Sequence, residues 1–310
     1  MAELSSETRF LHAIEMGLGA WQWGDRVVWQ YGHGYGDAEV RQAFQTSLEE
    51  GIRFVDTAEI YGNGRSERLL GQFLKETDQP VLIATKFLPF PWRFGKGSLT
   101  RALKGSLARL GVESVDLYQI HWPTPIMSID AMMGGLAECA KSGMTRTVGV
   151  SNFGQSRMLA AYSALARHNI PLASNQVHYS LLNRTVERNG TLARCKELGI
   201  RLIAYSPIEK GLLSGKYNVE SPPPGARARN YAGLLPKIGP LLKIMTEIGQ
   251  DHGGKSNPQV ALNWLICKGA LPIPGAKNAQ QAQENAGGLG WRLKEDEVVR
   301  LDEASDAIGE

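Results

Sequence analysis

The sequence predicts a single (β/α)8 TIM barrel with extra helices, one domain over residues 1–310, and three observations predict it. Short apolar strands alternate with helical stretches eight times, at a spacing of roughly 30 residues, which is one βαβ step. Six consecutive strands, the second to the seventh, end on polar residues: Asp56, Lys86, His121, Ser151-Asn152, Gln176 and Tyr205. No strand runs into the GxGxxG turn that an open dinucleotide-binding sheet would carry. Strict alternation makes a parallel sheet, eight units permit closure, and 310 residues suffice for a barrel that typically takes ~250.

Each element has a local reason. After a short lead, Ile14–Ala20 reads as the first strand and Trp21–Gly36 as a loop. Gly32, Gly34 and Gly36 in that loop lack phosphate-loop spacing and a strand running into them, so they read as loop glycines. Asp37–Glu50 is a helix with Val40, Phe44 and Leu48 on one face, stopped by Gly51. Arg53–Asp56 is the second strand and Ser66–Lys75 the next helix; VLIAT, after Pro80, ends on Lys86. Helix Ser98–Leu110 closes at Gly111, strand SVDLYQI ends on His121, and helix Ser128–Lys141 ends at Gly143. Strand RTVGV, helix Gly154–His168, strand LASNQV, helix Thr185–Leu198 and strand IRLIAY follow. A long irregular stretch through Ser221-Pro-Pro-Pro-Gly225 reads as functional or disordered. Helices Pro236–His252 and Pro258–Lys268, strand ALPIPG, helix Asn278–Ala286 and an amphipathic helix Lys294–Ile308 across the outside complete the chain.

Composition narrows the function classes. Hydrophobic residues at 43% and charged residues at 21% are ordinary for a globular chain, and a net charge of +3 implies no nucleic-acid face. Cys139, Cys195 and Cys267 stand far apart without CxxC or Cys/His company, so they read as reduced core thiols, and no metal site is expected. MAELSSETRF has no basic region leading an apolar run, and no 18-residue apolar stretch occurs. The expectation is a cytoplasmic protein without membrane partners, or an organellar stromal one had a targeting peptide been removed; oligomeric state is not readable.

The polar strand ends suggest a reaction. A barrel brings them to one mouth, where its ligands bind. Tyr61, five positions after Asp56, joins them. A phenol near pKa ~10 is a slow donor at neutrality, but a neighbouring cation favours the phenolate, and a shift of ~2 units amounts to about 3 kcal/mol. Lys86 suits that role, Asp56 would hold the ammonium, and His121 can fix an oxygen beside the phenol. Such a kit protonates an oxygen gaining negative charge, as a carbonyl does under hydride attack, and the hydride must come from a cofactor. Asn152 and Gln176 suit a carboxamide, Tyr205 a flat ring, and Lys216, Arg227 and Lys277 the phosphates. Trp21, Trp23, Phe87, Trp92 and Trp122 are candidates for the substrate pocket wall.

With FVDTAEIYGNGRSERLLG, LIATK, DLYQIHWP, VGVSNF, NQVHYS, YSPIEKGLLSGKY and PIPGAKNAQQAQEN in place, the chain resembles the aldo-keto reductase superfamily over almost its entire length. The resemblance implies reduction of aldehydes and ketones with a tetrad of Asp56, Tyr61, Lys86 and His121, Tyr61 donating the proton. It implies NADPH across the mouth, Ser151, Asn152 and Gln176 on the carboxamide and Tyr205 stacked on the nicotinamide, with Ala20, Trp21, Asp56, Ser206, Pro207, Ile208 and Lys210 also at the cofactor. Where many members carry a Lys-Ser pair and a later Arg, this chain has Gly275-Ala276-Lys277 and Gln281. It looks like the branch near potassium-channel β subunits, with Glu284 and Asn285 at the adenine and Lys277 and Arg227 on the 2′-phosphate. The alternatives are a channel-β-like regulatory subunit with little turnover, which His121 argues against, and a dedicated pyridoxal reductase. The chain ends soon after its last helix, without the long C-terminal loop of some relatives, so a wide, tolerant pocket is expected.

Overall fold

The computed structural model describes residues 6–309 apart from 94, 96 and 225. Its sheet has eight parallel strands in sequential order: β1 (Gly17–Gly19), β2 (Phe54–Asp56), β3 (Leu82–Phe87), β4 (Val115–Ile120), β5 (Thr145–Ser151), β6 (Leu172–His178), β7 (Arg201–Tyr205) and β8 (Leu271–Pro272). The ring closes where Gly19 pairs with Gly275 in parallel and the Gly19 amide donates to the Pro274 carbonyl at 2.9 Å. Only glycine fits at 19, because a Cβ there would stand 2.7 Å from the Ile273 carbonyl oxygen.

Side chains alternate across each strand, so one set faces the barrel axis. Phe54, Ala84, Leu117, Ala173, Ile203, Leu271 and Ile273 form a buried apolar floor together with Leu11. Leu11 belongs to α1 (Arg9–Ala13), a five-residue helix that the sequence reading leaves as a lead segment, since so few residues show no period. Above the floor the lining turns polar, with Asp56, Lys86, Gln119, Ser174 and Gln176 all buried. The register runs Lys86, Gln119, Gly149 and Ser174 across β3 to β6, while Asp56 pairs with Ala84, two residues before Lys86.

The outer helices follow the sequence reading closely: α2 (Asp37–Glu49), α3 (Arg65–Leu74), α4 (Ser98–Leu110), α5 (Ile129–Lys141) and α6 (Gln155–Ala166). The helix expected over Thr185–Leu198 is two, α7 (Thr185–Arg188) and α8 (Thr191–Leu198). Gly190 between them adopts φ 74°, a left-handed conformation that ends a helix and that glycine adopts without strain. The stretch after β7, expected to be irregular, contains a 3-10 segment Glu209–Ser214 and α9 (Ala226–Tyr231). Then come α10 (Gly239–Asp251), α11 (Asn257–Cys267), α12 (Ala279–Ala286) and α13 (Glu295–Gly309). As expected, α13 lies outside the barrel: Asp302 accepts from the Trp264 indole at 2.9 Å and pairs with Lys268 at 2.8 Å. Cys139 and Cys195 are buried free thiols and Cys267 is half-buried. Among the described residues, no helix is long and apolar enough to cross a membrane.

Candidate active site

The C-terminal strand ends meet at a cavity of about 1000 Å3, lined by Asp56, Tyr61, His121, Ser151, Asn152, Gln176 and Tyr205 among others. That volume is at the upper end for small-molecule sites and large enough for a dinucleotide. Lys86, fully buried, donates to the Asp56 carboxylate, to the Thr57 carbonyl at 2.9 Å and to the Tyr61 hydroxyl at 3.4 Å. Two amides hold the other carboxylate oxygen, Gln176 at 2.7 Å and Gln119 at 3.5 Å. The Tyr61 ring meets His121 edge-on, with centroids 5.6 Å apart, and lies 6.2 Å from Trp21. Asp56, Tyr61, Lys86 and His121, scattered in sequence, are thus one cluster.

The electrostatics correct one expectation. Burial, reinforced by the Asp56 charge, holds the Tyr61 phenol well above its ordinary value rather than below it. Lys86 does not act as a lone cation: its charge is paired with Asp56, and the hydroxyl sits in the residual field of the pair. Burial also lowers the Lys86 ammonium, against an opposing pull from Asp56. For His121, burial and then the Lys86 charge push the imidazole down to about 3, so the ring is neutral at ordinary pH. Its Nδ1 is buried and has no hydrogen-bond partner among the described residues.

Beside this cluster lies the amide group expected for a carboxamide. Asn152 donates to the His121 carbonyl and to the Ser151 hydroxyl, both at 3.0 Å, and accepts from Tyr205 at 2.9 Å. Gln176 uses its Nε2 on Asp56, which leaves its carbonyl oxygen and the Ser151 hydroxyl as polar groups of opposite sense at one wall. The Tyr205 ring stacks on His178 at 5.3 Å and 14° and still lines the cavity. Four non-glycine residues here hold positive φ, Asn152 (63°), Ser206 (51°), Glu209 (48°) and Lys210 (51°). Strain of this kind, of order 1–3 kcal/mol each, concentrates at ligand sites.

The cavity continues past Ser206, Pro207, Ile208, Lys210 and Lys216 to Gly275, Lys277, Gln281, Glu284 and Asn285, all in its lining. Lys277 sits 4.5 Å from the Tyr35 ring centroid and 5.1 Å from that of Trp29, with the Gln281 carbonyl oxygen accepting from its backbone amide at 2.9 Å. Ser256 donates to Glu284, and Asn285 donates to the Gly275 carbonyl at 3.3 Å. A flat ring platform, an amide wall and three lysines along one elongated groove fit the parts of a nicotinamide dinucleotide.

Several expected contacts fall elsewhere. Ala20 is buried and its backbone is engaged: its amide donates to the Asp56 backbone carbonyl at 2.8 Å and its carbonyl accepts from the Ser66 hydroxyl at 2.9 Å. Trp23 is a core residue, packed against Phe44 and Phe73 with its indole on the Ala276 carbonyl at 3.1 Å. Phe87 is buried in the helix-facing core, because its neighbour Lys86 faces inward and alternation turns residue 87 out. Trp92 is 70% exposed, stacked on Phe90, and outside the cavity lining. Trp21 and Trp122 do line it. The Arg227 side chain lies outside the described residues.

Other lining residues escape the sequence reading: Gln22, Asp25, Trp29, His178 and Ser256. Two had a signal. His178 stands two places after Gln176 and faces the same side by strand alternation, while Ser256 and Gln259 form the capping box that opens α11. Asp25 has none in sequence. It accepts from the Trp21 indole at 2.9 Å and from the amides of Val27 and Val28 at 3.0 and 2.8 Å, and so fixes the ring above Tyr61.

This chain and its barrel have known counterparts. The aldo/keto reductase family model matches residues 15–306, so the chain belongs to that family. It is 41% identical to a chloroplastic pyridoxal reductase of Arabidopsis thaliana, over 95% of this chain and 84% of that one. Among solved structures, a glycerol dehydrogenase from Gluconobacter oxydans superposes with a TM-score of 0.82 at 27% identity, covering 94% of this chain and 90% of the other. An aldo/keto reductase from Klebsiella pneumoniae, in complex with NADP and acetate, does so with a TM-score of 0.74 at 26% identity, covering 93% and 90%.

Proposed function

We infer that the protein is an NADPH-dependent reductase of aldehydes and ketones, with Tyr61 as the proton donor. The observation that carries this reading is the Lys86 ammonium held between Asp56 and the Tyr61 hydroxyl, 3.4 Å from the latter, at the mouth of a dinucleotide-sized groove. When bound, NADPH supplies hydride to the carbonyl carbon.

The chain's residues do the rest. His121, neutral across the working range, orients the carbonyl oxygen near the phenol without competing for its proton. Tyr61 keeps its proton in the resting site, which a general acid requires, and gives it up only to the strongly basic alkoxide left by hydride attack. Lys86 then has a phenolate to stabilise, and Asp56, fixed by Gln119 and Gln176, keeps the ammonium in place. Ser151, Asn152, Gln176 and Tyr205 hold the nicotinamide, while Lys210, Lys216 and Lys277 take the phosphates, Lys277 that of the adenosine. Trp21, Ile60, Leu88 and Trp122 form a substrate wall whose half-open edge, with Trp122 49% exposed, suits a tolerant pocket. The whole chain would act as one barrel domain on small carbonyl substrates.

NADPH oxidation with 4-nitrobenzaldehyde tests the activity. Tyr61→Phe keeps the ring and removes the proton, so reduction should vanish with NADPH affinity within a few-fold. Retained turnover in that variant would remove Tyr61 from the role.

Pyridoxal is a second, narrower reading of the substrate, favoured by the 41% identity to a pyridoxal reductase. A competition panel of pyridoxal, methylglyoxal and aromatic aldehydes ranks them, and equal rates throughout would rule out a dedicated pyridoxal role. The same relative's chloroplastic name supports an organellar stroma beside the cytoplasm as the place of action.

A further inference from the structure

We propose that Glu209 is a positioning residue that ties the Tyr205 platform to the strained turn carrying Lys210, and so sets affinity for the nicotinamide half of the cofactor. The inference rests on the nicotinamide-dinucleotide reading of the groove.

Three side chains converge on this one carboxylate, whose own side chain is 5% exposed. Its Oε1 accepts from His178 Nε2 at 2.5 Å and from the Ser180 hydroxyl at 2.7 Å, both just beyond β6 or at its end. Its Oε2 accepts from the Tyr231 hydroxyl of α9 at 3.4 Å. His178 is held from the other side, where its Nδ1 meets the Asn183 amide at 2.8 Å. A ring bonded at both nitrogens cannot rotate, and it is the face on which Tyr205 stacks. Glu209 therefore fixes the tilt of Tyr205 through His178.

The same residue holds the turn that follows. Glu209 and Lys210 both adopt left-handed backbone conformations, at φ 48° and 51°, with Gly211 at 92°. Non-glycine residues keep such conformations only where their surroundings over-determine them. The anchor here is the Glu209 side chain, and the turn it holds puts Lys210 and Gly211 into the cavity lining. Loss of the anchor frees His178 to rotate under Tyr205 and lets the turn relax out of its binding conformation.

The test compares wild type, Glu209→Ala and Glu209→Gln by quenching of intrinsic fluorescence, with NADPH and with 2′-AMP, a fragment lacking both the nicotinamide and the pyrophosphate. Hydrogen bonds to a buried charge are strong enough that Glu209→Ala should weaken NADPH about tenfold. Affinity for 2′-AMP should stay within about twofold, because the groove end around Lys277 does not touch Glu209. A general loosening of the fold would weaken both ligands alike and overturns the proposal, as does an NADPH affinity within about twofold of wild type. Should Glu209→Ala not fold, the near-isosteric Glu209→Gln is read by the same criteria. A wild-type protein that binds no NADPH overturns the dinucleotide reading itself, whereas an unaffected variant overturns only the role of Glu209.

Discussion

Replacing Lys86 by Met removes the ammonium while keeping most of the side-chain volume, and its consequence for rate can be worked from the geometry. An ammonium 3.4 Å from a phenolate oxygen is worth about 5 kcal/mol at an effective dielectric of roughly 20. The Asp56 oxygen on the same ammonium lies at most about 6 Å from the phenol oxygen and, taken at that limit, cancels about 3 kcal/mol of that. The net of about 2 kcal/mol corresponds to roughly a 30-fold fall in the chemical step. A second effect falls on stability, since a buried carboxylate left without its partner costs about 3–5 kcal/mol unless it takes up a proton. The double variant Lys86→Met/Asp56→Asn should recover much of the lost stability and none of the lost rate. Single-turnover reduction of 4-nitrobenzaldehyde gives the rate and urea unfolding the stability. A folded Lys86→Met enzyme that turns over within threefold of wild type would refute the argument that the phenolate needs this cation.

Lys277→Ala should weaken NADPH far more than NADH in the same fluorescence titration; equal loss would mean that Lys277 does not meet the 2′-phosphate. His121 links acid stability to burial: its folded value near 3 lies below the ordinary 6.5, so the unfolded chain binds its proton first and stability falls as pH drops from about 6.5 toward 3. At pH 4 the loss from this one group is about 3 kcal/mol, and His121→Asn should remove it. Urea midpoints of both proteins at pH 7.5 and pH 4 check this, and parallel falls in the two would count against it. Gly149→Ala would put a methyl group 2.1 Å from the Ser174 hydroxyl, in the layer of Gln119 and Lys86. Overpacking there should cost about 1–3 kcal/mol in urea unfolding, and an unchanged midpoint would show that the layer can yield.

Much of this molecule is legible in one dimension. The alternation of strands and helices, the polar ends of β2 to β7 and the motif runs determine the barrel, the family and the cluster Asp56, Tyr61, Lys86 and His121, because period and punctuation are local properties of the chain. Residues facing the axis could also be counted off, as His178 could from Gln176. What no local pattern carries is the sum of fields and contacts at a point in space. The direction in which the Tyr61 phenol moves depends on burial and on how Asp56 and Lys86 share their charges, and that is decided only when three strands meet. An aromatic residue in a loop at the mouth reads the same in sequence whether it turns to the groove, as Trp21 and Trp122 do, to the core, as Trp23 and Phe87 do, or to the surface, as Trp92 does. Packing chooses among these, since the free energy of placing an aromatic ring depends on which neighbours close around it, and those neighbours come from distant parts of the chain.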